Sequence, residues 1–193
     1  MPSDFFIFDH IANCGGTSIS TMFEVAGCSV LRFHPHGVQL AEGADDKILL
    51  CGPQLFHNLR RPKSAGLLYF TVLRDPVEVF YSQWIRNVKD WGDGDTLPDA
   101  AKRVLDSHWE LSLIRVRQKF AIEPSRYHFI GALEQMGATV ARLSELTGLN
   151  LNPAIHTQRS NRPVVIYRRP ELERALAPEI ALWERVKRDG ITM

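Results

Sequence analysis

The run LLYFTVL at residues 67–73 constrains the fold more than any other stretch of the chain. Its seven residues carry no charge, are rich in aliphatic and aromatic side chains, and lack the polar alternation of a half-exposed strand. A run of this kind pairs its backbone in the middle of a sheet and buries both faces, as a parallel strand covered by helices does. It stops at Arg74-Asp75-Pro76, where the fixed φ of proline suits the first turn of a helix.

The rest of the chain repeats the alternation. Residues 4–9, 47–51 and 127–130 read as further buried strands. Between them, residues 17–25 suit a helix capped near Thr17 or Ser18. Val77, Phe80, Tyr81, Trp84 and Val88 give the segment after Pro76 an apolar stripe at helical spacing. Residues 96–120 read as one or two helices. Leu133, Met136, Val140 and Leu143 mark another, ending near Gly148. Residues 149–169 read as a loop with a short strand at 164–166, and the tail from Pro170 is helical in two pieces, closed by Gly190. The pattern predicts an α/β fold, a parallel sheet flanked by helices, in a single domain over residues 1–193.

Composition removes several classes. Hydrophobic residues are 45% and charged residues 23%, which excludes disorder and coiled coil. Lys plus Arg (23) nearly balance Asp plus Glu (22), so no global basic excess points to nucleic acid. No apolar run approaches the roughly 20 residues of a membrane span, and no leader is expected at the N-terminus. Cys14, Cys28 and Cys51 are few, odd in number and widely spaced, so neither a disulfide framework nor a zinc site is expected. His34-Pro35-His36, with His57, lacks nearby Cys or carboxylate partners, and no metal is expected. A cytoplasmic setting follows as the expectation.

Two segments carry candidate chemistry. Asn13-Cys14-Gly15-Gly16-Thr17-Ser18 follows a strand and opens a helix. Two glycines let backbone curl closely around a ligand, and helix-start amides favour an anion. A plain strand-to-helix turn explains the same residues. The G-x-x-x-x-G-K-[ST] loop and the G-x-G-x-x-G fingerprint are both absent. The second segment is Arg74 at the end of the best strand, with Ser82 about two helical turns further on. An Arg fork and a hydroxyl hold one phosphate group well. The plainer reading pairs Arg74 with Asp75 or a helix carboxylate and leaves Ser82 solvated.

Together the two segments resemble sulfotransferases that use 3′-phosphoadenosine 5′-phosphosulfate (PAPS). His10-Ile11-Ala12-Asn13-Cys14-Gly15-Gly16-Thr17-Ser18 is similar to their H-I-P-K-T-G-G-T-S segment. Phe70-Thr71-Val72-Leu73-Arg74-Asp75-Pro76-Val77-Glu78 is similar to their F-T-x-L-R-D-P-V-E segment, with Ser82 at the matching later position. The likeness is to the carbohydrate branch that includes uronyl 2-O-sulfotransferases. It implies a P-loop nucleotide-hydrolase-like sulfotransferase fold and transfer of a sulfuryl group from PAPS to a hydroxyl of a carbohydrate or small molecule. The product nucleotide is 3′-phosphoadenosine 5′-phosphate. By the same resemblance, residues 13–18 cradle the 5′-phosphosulfate, and Arg74 and Ser82 hold the 3′-phosphate. His156-Thr157-Gln158-Arg159-Ser160-Asn161 loosely resembles the late loop that closes over the nucleotide, which makes Arg159 a further contact.

The chain departs from the family at two positions. The motif Lys is Asn13, and Lys47, Arg60, Arg61 and Lys63 are the candidate replacement cations. The His expected after Gly52 is Pro53, which leaves His57 as the nearest general base. A nucleotide-binding protein of the same fold, impaired in catalysis, is the alternative. Residues 47–74 hold five basic side chains and no acid, and residues 146–170 hold four, Arg168 and Arg169 among them, again without an acid. Such zones suit an anionic nucleotide, an acidic sugar acceptor, or both. For Arg168 and Arg169 a solvated basic face is the simpler expectation.

Overall fold

The structure, a computed structural model, describes residues 4–34, 37–44, 46–52, 67–85, 98–155 and 167–192. The strands are β1 (Phe5–Asp9), β2 (Ser29–His34), β3 (Gly37–Ala41), β4 (Ile48–Gly52), β5 (Leu67–Leu73), β6 (Phe129–Ala132) and β7 (Ile191–Thr192). The helices are α1 (Gly16–Val25), α2 (Pro76–Ile85), α3 (Asp99–Ser107), α4 (Trp109–Phe120), α5 (Met136–Thr147), α6 (Arg169–Ala175) and α7 (Ala177–Asp189). The chain divides into two compact units. The first comprises Met1–Leu73, Glu123–Arg159 and Val186–Met193, and the second comprises Arg74–Ile122 and Ser160–Arg185.

The first unit contains the whole sheet, ordered β3-β2-β4-β1-β5-β6-β7. Strands β2, β4, β1, β5 and β6 run parallel, while β3 and β7 pair antiparallel at the two edges. The expected α/β class with a mostly parallel sheet is therefore present. Strand β5 occupies the place its composition demands, between β1 and β6, with Leu68, Phe70 and Val72 on one face and Tyr69, Thr71 and Leu73 on the other, all buried. Helices α1 and α5 close one face. Ile19, Met22 and Phe23 from α1 and Met136, Val140 and Leu143 from α5 join Phe6, Phe8, Phe70 and Phe129 in one core. The rings of Phe8 and Phe70 stack at 5.0 Å and those of Phe23 and Phe70 at 5.6 Å.

The chain leaves β1 toward β2 on one side and leaves β5 toward β6 on the other. The space beyond the C-terminal ends of β1 and β5 is thus the topological switch point, where open parallel sheets bind ligands. In the dinucleotide fold the second strand in chain order lies beside the first. Here β4 takes that place, in keeping with the missing glycine fingerprint.

The second unit holds α2, α3, α4, α6 and most of α7. The expected helical stretch at 96–120 resolves into two helices that break at His108, and Phe80 of α2 meets Trp109 of α4 edge-on at 5.1 Å. Residues Val88, 90–95 and 164–166, on which sequence expectations also rested, lie outside the described residues. Among the described residues no helix is long and apolar enough to cross a membrane, no group of His, Cys, Asp and Glu is placed to hold a metal, and none of the three buried cysteines is in a disulfide.

Candidate functional site

The end of β1 is held from the other side of the sheet. Asp9 is 4% exposed; its carboxylate accepts a hydrogen bond from the Tyr127 hydroxyl (2.6 Å) and its carbonyl accepts one from the Thr71 hydroxyl (2.7 Å). Burial and the Asp9 charge push the Tyr127 hydroxyl well above the usual phenol range, so it stays a donor. The next amide, His10 N–H, bonds to the Gly52 carbonyl at 2.9 Å.

A tight loop then turns the chain into α1. Cys14 N–H donates to the Ile11 carbonyl, and the side chains of Ile11 and Cys14 are buried beneath the loop. Asn13 has φ +72° and Gly15 has φ +79°. Helix α1 starts at Gly16, with Gly15 at its N-cap and no side chain capping it. The expected cap at Thr17 or Ser18 is therefore corrected: the cap position needs a left-handed residue, which glycine supplies without steric cost. The first intrahelical bond runs from Ile19 N–H to the Gly15 carbonyl at 3.1 Å, so the amides of the first turn precede the helical ladder. Thr17 is exposed and Ser18 is buried.

Conformation requires a glycine at position 15, and at both positions a neighbouring side chain occupies the space a Cβ would take. A methyl group on Gly16 would lie 1.8 Å from His10 Cδ2, and one on Gly15 would lie 2.6 Å from Leu133 Cδ1.

The Asn13 position now has a local reason. A side chain at φ +72° is strained unless it is glycine or a short polar residue such as Asn. The neutral amide stands where the resembling family has Lys, and Lys47 does not make up for it. Lys47 precedes the first residue of β4, and its Nζ donates to the Thr147 carbonyl at 3.1 Å. The length of β4, about 16 Å at 3.3 Å per residue, separates it from the strand's C-terminal end. As a replacement cation Lys47 is withdrawn. Arg60, Arg61, Lys63, Pro53, His57 and Arg159 lie outside the described residues, as does the side chain of His34.

In the second unit, Arg74 follows β5 directly. Its Nη1 donates to Ser82 Oγ at 3.0 Å, and its Nη2 lies 3.6 Å from Glu78. Ser82 is buried rather than solvated. The pairing with Ser82 and the pairing with a helix carboxylate are both present. Asp75 caps α2, accepting from Val77 N–H at 2.8 Å, with Pro76 in the first helical position.

Arg168 and Arg169 correct the sequence reading. They form no solvated basic face. Arg168, at φ +52°, lies over the Trp109 ring at 3.9 Å and pairs with Asp106 and Glu171. Arg169 reaches Asp75 (3.3 Å), Glu78 (3.2 Å) and Glu173 (2.9 Å). Tyr167 adds a bond from its hydroxyl to Asp106 at 2.8 Å, and its carbonyl accepts from Tyr81. These charges are neutralised within the helical unit and offer no open anion patch.

Sequence reading missed a cavity of about 290 Å³ in the first unit, lined by His10, Thr17, Arg32, Phe33, Gln39 and Cys51. His10 stood in the first motif, directly after β1, and that position was the available signal. Arg32 and Gln39 lie on β2 and β3, which the sequence did not reveal. No family model matches the chain, and neither a curated protein nor a solved structure matches it.

Proposed function

We propose that the chain is a PAPS-dependent sulfotransferase, moving a sulfuryl group from PAPS to a hydroxyl of a carbohydrate or small molecule. The observation that carries this reading is the turn at residues 13–18. It stands at the switch point of a parallel sheet, its two glycines sit where neighbouring side chains leave no space for a Cβ, and it opens a helix without a side-chain cap. In this reading the turn takes the 5′-phosphosulfate, and Arg74 with Ser82 takes the 3′-phosphate. The 3.0 Å bond between Arg74 and Ser82, eight residues apart, supports the second assignment. Catalysis would come from holding donor and acceptor in line and from stabilising charge on the leaving oxygen. The fold would be the P-loop-like one that the resemblance implies.

One observation favours a second reading, a nucleotide-binding protein without transfer activity. Asn13 occupies a left-handed backbone position that suits Asn, and it carries no charge where the leaving oxygen needs one. Calorimetric titration of 3′-phosphoadenosine 5′-phosphate tests both readings, and absence of binding rejects both. Sulfuryl transfer from labelled PAPS to a panel of hydroxyl acceptors then separates enzyme from binder.

A further inference from the structure

The imidazole of His10 sits at a junction. On one side its Cδ2–Nε2 edge lies against Gly16, so closely that no side chain fits there. Its ring stacks on Phe8 at 5.8 Å with the planes 22° apart, which fixes its orientation. On the other side it forms part of the wall of the 290 Å³ cavity. A half-buried base thus stands between the helix start and a cavity large enough for a sugar ring. The rest of the wall suits a hydroxylated guest: Thr17 and Gln39 offer hydrogen bonds, and Phe33 offers an apolar surface.

Besides His10, the wall carries the titratable or charged groups Glu24 of α1, Arg32 of β2 and Cys51 of β4. Arg32 from β2 pairs with Glu24 of α1 at 2.5 Å and donates to Ser20 at 3.2 Å, so its charge is already neutralised. Cys51 from β4 has its thiol pushed up to about 12 by burial, and remains a neutral wall at physiological pH. The imidazole is the group in that wall suited to accept a proton near neutral pH.

Resting on the sulfotransferase reading above, we propose that this cavity is the acceptor pocket, that it takes an uncharged hydroxylated ring, and that His10 is the catalytic base. The acceptor O–H bond breaks and its proton passes to the neutral His10 imidazole. The oxygen forms a bond to sulfur. The bond between sulfur and the bridging oxygen breaks, and that oxygen leaves with its electron pair as part of 3′-phosphoadenosine 5′-phosphate.

The test compares wild type with His10→Gln and His10→Ala. Each is first titrated with 3′-phosphoadenosine 5′-phosphate, then assayed for transfer from PAPS to neutral pyranosides and their uronates between about pH 5 and about pH 9. The expected result is closely similar nucleotide affinity in all three proteins and a fall in kcat of about a hundred-fold or more in both variants. The acidic limb of the wild-type pH profile should vanish, added imidazole should restore part of the His10→Ala rate, and the neutral sugar should be preferred. If the variants bind nucleotide and keep the wild-type rate and profile, the base assignment is wrong while the sulfotransferase reading stands. Loss of nucleotide binding in both variants would make His10 part of the loop's structure and overturn the proposal. A consistent preference for the uronate would overturn the acceptor assignment. A wild type that binds nucleotide but transfers to nothing overturns the base and leaves the binder. A wild type that binds no nucleotide ends the underlying reading as well.

Discussion

The turn after β1 and the turn after β5 start from neighbouring parallel strands and both lead into helices, yet they treat the helix start in opposite ways. After β5, Asp75 caps α2 with its carboxylate, and Pro76 removes one amide that would need a partner. After β1, Gly15 caps α1 with backbone alone. The first solution satisfies the helix from within and leaves a side chain, Arg74, to meet any ligand. The second leaves recognition to the backbone. In the proposed reading one turn would select by a charged fork and the other by shape and amide direction, and substitutions should separate the two.

The largest effect is expected from Gly16→Ala. Its methyl group would lie 1.8 Å from the His10 ring, so the ring or the loop must shift. Overpacking costs roughly 1–3 kcal/mol. Where the loop shifts to relieve the clash, affinity should fall by as much as about a hundred-fold, read by calorimetry with 3′-phosphoadenosine 5′-phosphate. Wild-type affinity in this variant would show that the backbone turn does not hold the ligand. Next comes Arg74→Ala. It removes a charge-assisted bond of roughly 1.5–3 kcal/mol, so affinity should fall about ten- to a hundred-fold for the 3′-phosphorylated nucleotide and far less for its dephosphorylated analogue. Equal losses would remove Arg74 from the 3′-phosphate role.

Asp75→Ala should act on stability. Losing a cap costs typically about 1 kcal/mol, and the Arg169 ion pair is lost with it. Urea unfolding reads the change, and ligand affinity at the β1 turn should not move. The smallest effect concerns Asn13. Asn13→Gly should be neutral or slightly stabilising, since glycine holds φ +72° without strain. Asn13→Lys should cost roughly 1 kcal/mol. Comparing transfer rates of the two variants separates the added charge from the backbone strain, and a large gain in the Lys variant would show that no other cation fills that place.

Legibility followed the physics of each segment. Strand β5 was readable to the residue because it is uncharged and buried on both faces. Strand β2 was not, because Arg32 and His34 interrupt its apolar pattern, and β3 was not, because Val38 and Leu40 are exposed on an edge. The Gly-Gly turn was legible as a turn, but the start of α1 was not. Thr17 and Ser18 look like caps in sequence, and only the left-handed φ of Gly15 moves the cap forward. The neutralised Arg168 and Arg169 were hidden by distance, since Asp106 and Asp75 lie 62 and 94 residues from them in the chain. The acid-free stretch around these arginines was real, but local charge counting cannot see such partners.

The hydrogen bonds at Asp9 also bear on the order in which the molecule is made. The residue that anchors the loop takes its partners from Thr71 and Tyr127, 62 and 118 positions further along the chain. Contacts this distant form only after large loops have closed, and parallel pairing is slow for the same reason. The loop can therefore reach its final shape only after β5 and the segment before β6 have docked. During refolding, the ability to bind an anion at the turn should emerge with the slowest phase that buries tyrosine, after most helical signal has returned.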